Sequence, residues 1–140
     1  MADITITAAN VTAANSATGK ASGTSGAAIS IGQSVYLDPA DGRIKPAKAD
    51  SASPTNAPNI TGVALDTVAG ANQPITYAPS GDVVFGGGLT QGQVYVVSAA
   101  NAGGIAPYSD LVATNFVAFL GVALSSTTLR LGLIPASVQK

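Results

Sequence analysis

The chain contains no histidine, cysteine, tryptophan or glutamate; its seven acidic residues are all aspartate, set against six lysines and arginines for a formal net charge of −1. Each absence closes off a kind of chemistry. Without histidine or cysteine there is no imidazole or thiolate to activate a nucleophile or ligate zinc, no disulfide framework, and no side chain whose ordinary pKa lies near neutrality. Neither a hydrolase nor a redox enzyme is expected, and no cofactor or metal is implied. Charged residues make up only 9% of the chain, against about 25% in ordinary soluble domains. The apolar share of 46% is unexceptional, so alanine, glycine, serine and threonine fill the difference. Such a surface is polar but nearly uncharged, supplies little colloidal repulsion and favours packing into an assembly. Among the basic residues only Arg43, Lys45 and Lys48 cluster, too few for the phosphate footprint of a nucleic-acid partner.

What is present fits one compact domain, since 140 residues are too few for two ordinary ones. The start, Met1-Ala2-Asp3-Ile4-Thr5, has neither the basic nor the apolar region of a secretory signal. The Asn-x-Thr triplets at Asn10 and Asn59 are accordingly read as chance. The longest apolar run, Phe116 to Leu124, falls short of the roughly 20 residues of a membrane helix, and no membrane partner is expected.

Two parts are expected along the chain. Asp3-Ile4-Thr5-Ile6-Thr7 alternates in the period-two pattern of a strand with one buried face. Residues 8–28 are almost wholly small and polar, unable by themselves to bury enough surface to offset chain entropy. Residues 1–28 thus read as an extended arm on a flexible linker, and 29–140 as a β domain. Strands are expected around Val35-Tyr36-Leu37, Ile60 to Leu65, Ile75-Thr76-Tyr77, Val83-Val84-Phe85, Val94 to Val97, Phe116 to Leu124 and Leu129 to Leu133, divided by Gly- and Pro-bearing turns. Short helical turns are allowed near Pro46 to Ala52 and Pro107 to Ala113, the second with Ser109 or Asp110 as a cap.

An internal repeat organises the β domain into units of about 29–85 and 89–135. Ile31-Gly32-Gln33-Ser34-Val35-Tyr36 matches Gln91-Gly92-Gln93-Val94-Tyr95 with one residue extra. Gly42-Arg43-Ile44-Lys45-Pro46 matches Gly103-Gly104-Ile105-Ala106-Pro107, and Gly62-Val63-Ala64-Leu65 recurs unchanged as Gly121-Val122-Ala123-Leu124. Two copies of a β unit are therefore expected, closing a small barrel or sandwich with pseudo-twofold symmetry and placing Tyr36 and Tyr95 at equivalent positions. The repeated glycine either admits a neighbouring backbone or marks a bulge.

Candidate chemical features have plainer structural readings. Gly86-Gly87-Gly88 lacks the lysine and helix of a phosphate loop and reads as a corner. Asp38 and Asp41 lie on one turn, close enough to consider a hard cation, but no calcium loop completes them and turn capping is expected. Tyr36, Tyr77, Tyr95 and Tyr108 are numerous enough for a sugar platform, though a core role suits the repeat better.

Ser34 to Asp38 with Gly42 to Ala47, then Ile60 to Leu65, Gly70 to Tyr77 and Ser80 to Val83, resemble small structural proteins of tailed bacteriophages. Within that group the chain is most similar to head decoration, or capsid cement, proteins. The resemblance covers roughly residues 29–135 and rests on strands, glycines and low charge. It implies a virion structural protein without catalysis, made in the host bacterial cytoplasm and bound to the outer surface of the expanded capsid, where it bridges capsomers. The implied partners are the major capsid protein and further copies of the chain, as a homotrimer. Asp3, Ile4, Thr5, Ile6 and Thr7 are the expected contact residues, because an alternating arm can add a strand to an exposed sheet edge. The alternative is a phage head-fibre or tail module that binds a glycan or another virion protein.

Overall fold

The computed structural model describes residues 3–135 and 137–140. Among the described residues eleven strands run in chain order: β1 Thr12–Ala13, β2 Ala21–Thr24, β3 Ser34–Asp38, β4 Arg43–Pro46, β5 Ile60–Ala64, β6 Pro74–Ala78, β7 Gly81–Val84, β8 Val94–Val97, β9 Ile105–Pro107, β10 Phe119–Ala123 and β11 Thr128–Ile134. They form two antiparallel sheets, ordered β2-β6-β5-β3-β4 and β1-β7-β11-β10-β8-β9. Neither closes into a barrel, so the all-β chain takes the sandwich-like form of the two expected.

Helix is confined to three short 3₁₀ turns among the described residues. One, Tyr108–Asp110, falls where a turn was expected, but Pro107 occupies its N-cap and no side chain caps it. None forms over 46–52; the turn lies later, at Ala57–Asn59, where Pro58 presets the backbone. The apolar run from Phe116 becomes strand only at Phe119, because Phe116 instead bridges to Gln139 near the C-terminus.

The repeat is present in the pairing. Replacing β3, β4, β5 and β6 by β8, β9, β10 and β11 turns the order β6-β5-β3-β4 into β11-β10-β8-β9, which is the order observed. Matching hydrogen bonds fix the correspondence: Gly32 N–H donates to Ala64 O and Gly92 N–H to Ala123 O, while Ala64 N–H donates to Gln33 O and Ala123 N–H to Gln93 O. β7, expected in the first unit, instead joins the second sheet between β11 and β1.

This register corrects the alignment read from sequence. Val35 lies opposite Pro46 and Gly62, and Tyr95 lies opposite Pro107 and Gly121. Val35, and not Tyr36, is therefore the counterpart of Tyr95, and no extra residue intervenes. Because side chains alternate along a strand, the one-residue difference decides which face is buried. The main core lies between the sheets and takes Tyr36, Ile60, Val63 and Ala78 from the first unit but Tyr95, Ile105, Ala123 and Leu129 from the second. The first unit's counterparts of that second set, including Val35, Ile44 and Ala64, point the other way into a separate cluster with Ile75, covered by Ile29 and Val68. The units pack front to back. A pseudo-twofold would require equivalent faces to meet, and they do not.

The repeated glycine serves both purposes considered for it. The pairing register shifts beside Gly62 and beside Gly121. A Cβ at Gly62 would lie 2.0 Å from the Ala78 carbonyl oxygen, and one at Gly121 would lie 1.9 Å from that of Arg130. Backbone cannot move aside as a flexible side chain can. Gly121→Ala is expected to cost about 3 kcal/mol, whereas Gly132→Ala, where nothing lies within 4 Å of the added carbon, should stay within about 0.5 kcal/mol of the parent. Urea denaturation of both variants measures the difference.

Candidate interaction surfaces

The expected contact residues lie along the edge of the second sheet. Ile4 N–H donates to Ile105 O at 2.9 Å, placing the arm beside the edge strand β9. Asp3 anchors its start: Ser98 Oγ donates to Oδ1 at 2.7 Å and Asn101 Nδ2 to Oδ2 at 3.0 Å. Ile4 and Ile6 are half-buried against the main core, while Thr5 and Thr7 are exposed. The alternation is thus present without a regular strand. β9 has only three residues, too short to template a longer ladder.

Glycines make room for this path. A Cβ at Gly32 would lie 2.6 Å from Ile6 Cγ2, and one at Gly104 would lie 2.5 Å from Asp3 Oδ2. The triple glycine belongs to the same corner, since an added carbon at Gly86 would meet Asn10 at 2.6 Å. Sequence reasoning named the arm but not its receiving groups, Ser98, Asn101, Gly104 and Ile105. In the sequence Gly104 and Ile105 stand out only as part of the repeat, and Asn101 only as part of a turn.

Residues 8–28 are more tightly tied than the expected flexible linker. β1 pairs with β7 and β2 with β6. Val11 is buried, and the Thr18 hydroxyl donates to Asp82 O at 2.7 Å. Beyond β2, Ser25 bridges to Ile44, and Gly26 N–H donates to Ile44 O at 2.8 Å, covering the outer edge of β4. The physical reason is that small residues bury little surface themselves but allow close backbone pairing against strands that do.

The tyrosines do not converge. Tyr36 and Tyr95 are buried in the main core, Tyr77 borders the second cluster, and Tyr108 stacks on Phe119 at 5.9 Å with Lys140 Nζ 4.5 Å above its ring. Asp38 and Asp41 act as turn caps, accepting from the backbone N–H groups of Ala40 and Arg43. Both also hold Lys45 Nζ, at 2.7 and 3.0 Å. Lys48 pairs with Asp50 at 2.8 Å, and Arg43 bonds Asn72. The one basic cluster is therefore tied to local acceptors. No protein-family model matches the chain, and no curated protein is found similar to it.

Hydrogen bonds from Lys45 hold the Asp38 and Asp41 carboxyls below their ordinary 3.8, and the same contacts raise Lys45 above its usual range. For the carboxylates, this contribution to stability is complete above the unfolded pKa and is lost as pH falls through the lower folded values. For Lys45 it is complete below 10.5 and lost as pH rises through the higher folded value. With no histidine present, the melting temperature should be nearly level from about pH 5 to 9 and fall below about pH 4. Lys45→Met should make that acid-side fall shallower, as read by thermal melts across pH.

Proposed function

We propose that this chain is a virion structural protein that binds the outer surface of the expanded capsid of a tailed bacteriophage and stabilises it by bridging capsomers, without catalysis. The observation that carries the reading is the arm. Its Asp3–Thr7 segment alternates half-buried isoleucine with exposed threonine and is held to a sheet edge by the main-chain hydrogen bond from Ile4 to Ile105. A segment held this way can exchange its own edge for that of a neighbouring protein, keeping main-chain hydrogen bonds for affinity and pockets for Ile4 and Ile6. The partner in this reading is the major capsid protein.

The near-neutral surface supports the same role, because alanine, threonine, serine and glycine faces pack against a shell with little charge desolvation. Pinning residues 12–26 into the sheets shortens the arm's reach. Residues 3–11 span about 30 Å if fully extended, enough to cross to an adjoining subunit. Several arms engaging one particle raise the effective concentration for each later contact and offset the ordering cost of the first.

The arm is tested separately from the body by removing residues 1–7, since removing 1–28 would also take β1, β2 and Val11 out of the structure. The shortened protein should keep the parent's circular dichroism but lose stable co-sedimentation with expanded heads lacking the protein. Undiminished binding would overturn the arm mechanism. Copy number per virion tests the location: hundreds, near the coat-protein count, are expected, and a handful confined to one vertex or to the tail would overturn it.

A further inference from the structure

Front-to-back packing leaves the β10–β11 part of one sheet face without a counterpart, while Val96 on β8 is capped by Leu111 and Val117 and Phe119 is stacked on one side by Tyr108. The outward face of β8–β11 is equivalent to the inward face of β3–β6, with Phe119 in the place of Ile60 and Val122 in the place of Val63. Ile60 and Val63 are 5% and 0% exposed beneath the other sheet, whereas Val122 is 42% and Ile134 is 55% exposed. Val94, Phe119, Val122 and Ile134 line a shallow apolar groove over β10 and β11. Its one charged lining residue, Arg130, is neutralised by Asp82 through bonds of 3.0 and 3.2 Å.

We propose that this face binds the same face of a second copy of the chain, forming a twofold pair. Three observations favour that occupant. The equivalent face within this molecule is already covered by a sheet of the same chain, so the surface is of a kind that this fold buries by sheet packing. Its charge is internally balanced, so two copies can meet without like-charge repulsion. Repetition of the internal front-to-back arrangement between molecules is blocked, because Ile29 and Val68 cover the face of the first unit that would be needed. Same-face contact is then the arrangement that closes, whereas a head-to-tail contact would run on as a filament or ring. The pair takes the place of the homotrimer that the phage resemblance implies, and it is a property of the free protein, independent of capsid binding.

Sedimentation equilibrium of the full chain, from micromolar to submillimolar concentration, should show a species of twice the 13.6 kDa chain mass. Val122→Asp should weaken the pair by about tenfold or more. Leu37→Asp, at a residue on the opposite side of the molecule that is also 42% exposed, should leave it intact. Circular dichroism and melting establish that each variant is folded, and Ile134→Asp, near the end of β11, replaces Val122→Asp if the latter does not fold. A monomeric or trimeric parent, a pair indifferent to the face variant, or a pair weakened equally by Leu37→Asp would overturn the proposal.

Discussion

The architecture turns on two places where backbone meets backbone more closely than any side chain permits. At Gly62 and Gly121 the central strand of each unit comes against a carbonyl of the strand beside it, and the pairing with neighbouring strands shifts there. A shift of this kind increases local twist and re-aims the side chains that follow. Beyond it, Ala64 pairs with Tyr77 and Ala123 with Leu129, small against large in both units. The glycine is thus the residue on which strand order, register and the choice of buried face depend together.

Small residues do comparable work around the edges. The N-terminal segment lies against glycines at its closest passages, and residues 12–26 pair with edge strands while contributing few large side chains of their own. Alanine and glycine bring little hydrophobic driving force, so this wrapping depends on main-chain hydrogen bonds placed against strands that already share a core. Local ion pairs complete the pattern. Lys45, Lys48 and Arg130 each find aspartate on a nearby strand or turn, and most of the other exposed residues are alanine, glycine, serine, threonine and asparagine.

Much of this was legible in the residues. β-branched and aromatic runs between glycine and proline turns placed the main strands, and Leu129, Leu131 and Leu133 turn inward while Arg130 faces out as their alternation requires. The repeat was legible from Gly-Val-Ala-Leu, yet its register was not: matching tyrosine to tyrosine favours chemical likeness, whereas the backbone matches valine to tyrosine. Such a slip reverses inside and outside, and only long-range pairing reveals it. The pinning of residues 8–28 was equally hidden, because the strands that receive β1 and β2 lie some 50 to 70 residues further along the chain. Asp3 carried no motif, since its partners Ser98 and Asn101 belong to a distant turn.

Two units joined front to back also give the molecule a polarity that a symmetric duplicate would lack. One end is sealed by Ile29 and Val68, while the other is capped by Leu111 and Val117 only over β8 and leaves β10 and β11 facing outward. Growth of the gene by another tandem copy of β8–β11 would therefore have a direction: a third layer meets bare apolar surface over β10 and β11, whereas at the sealed end it meets the cap of Ile29 and Val68.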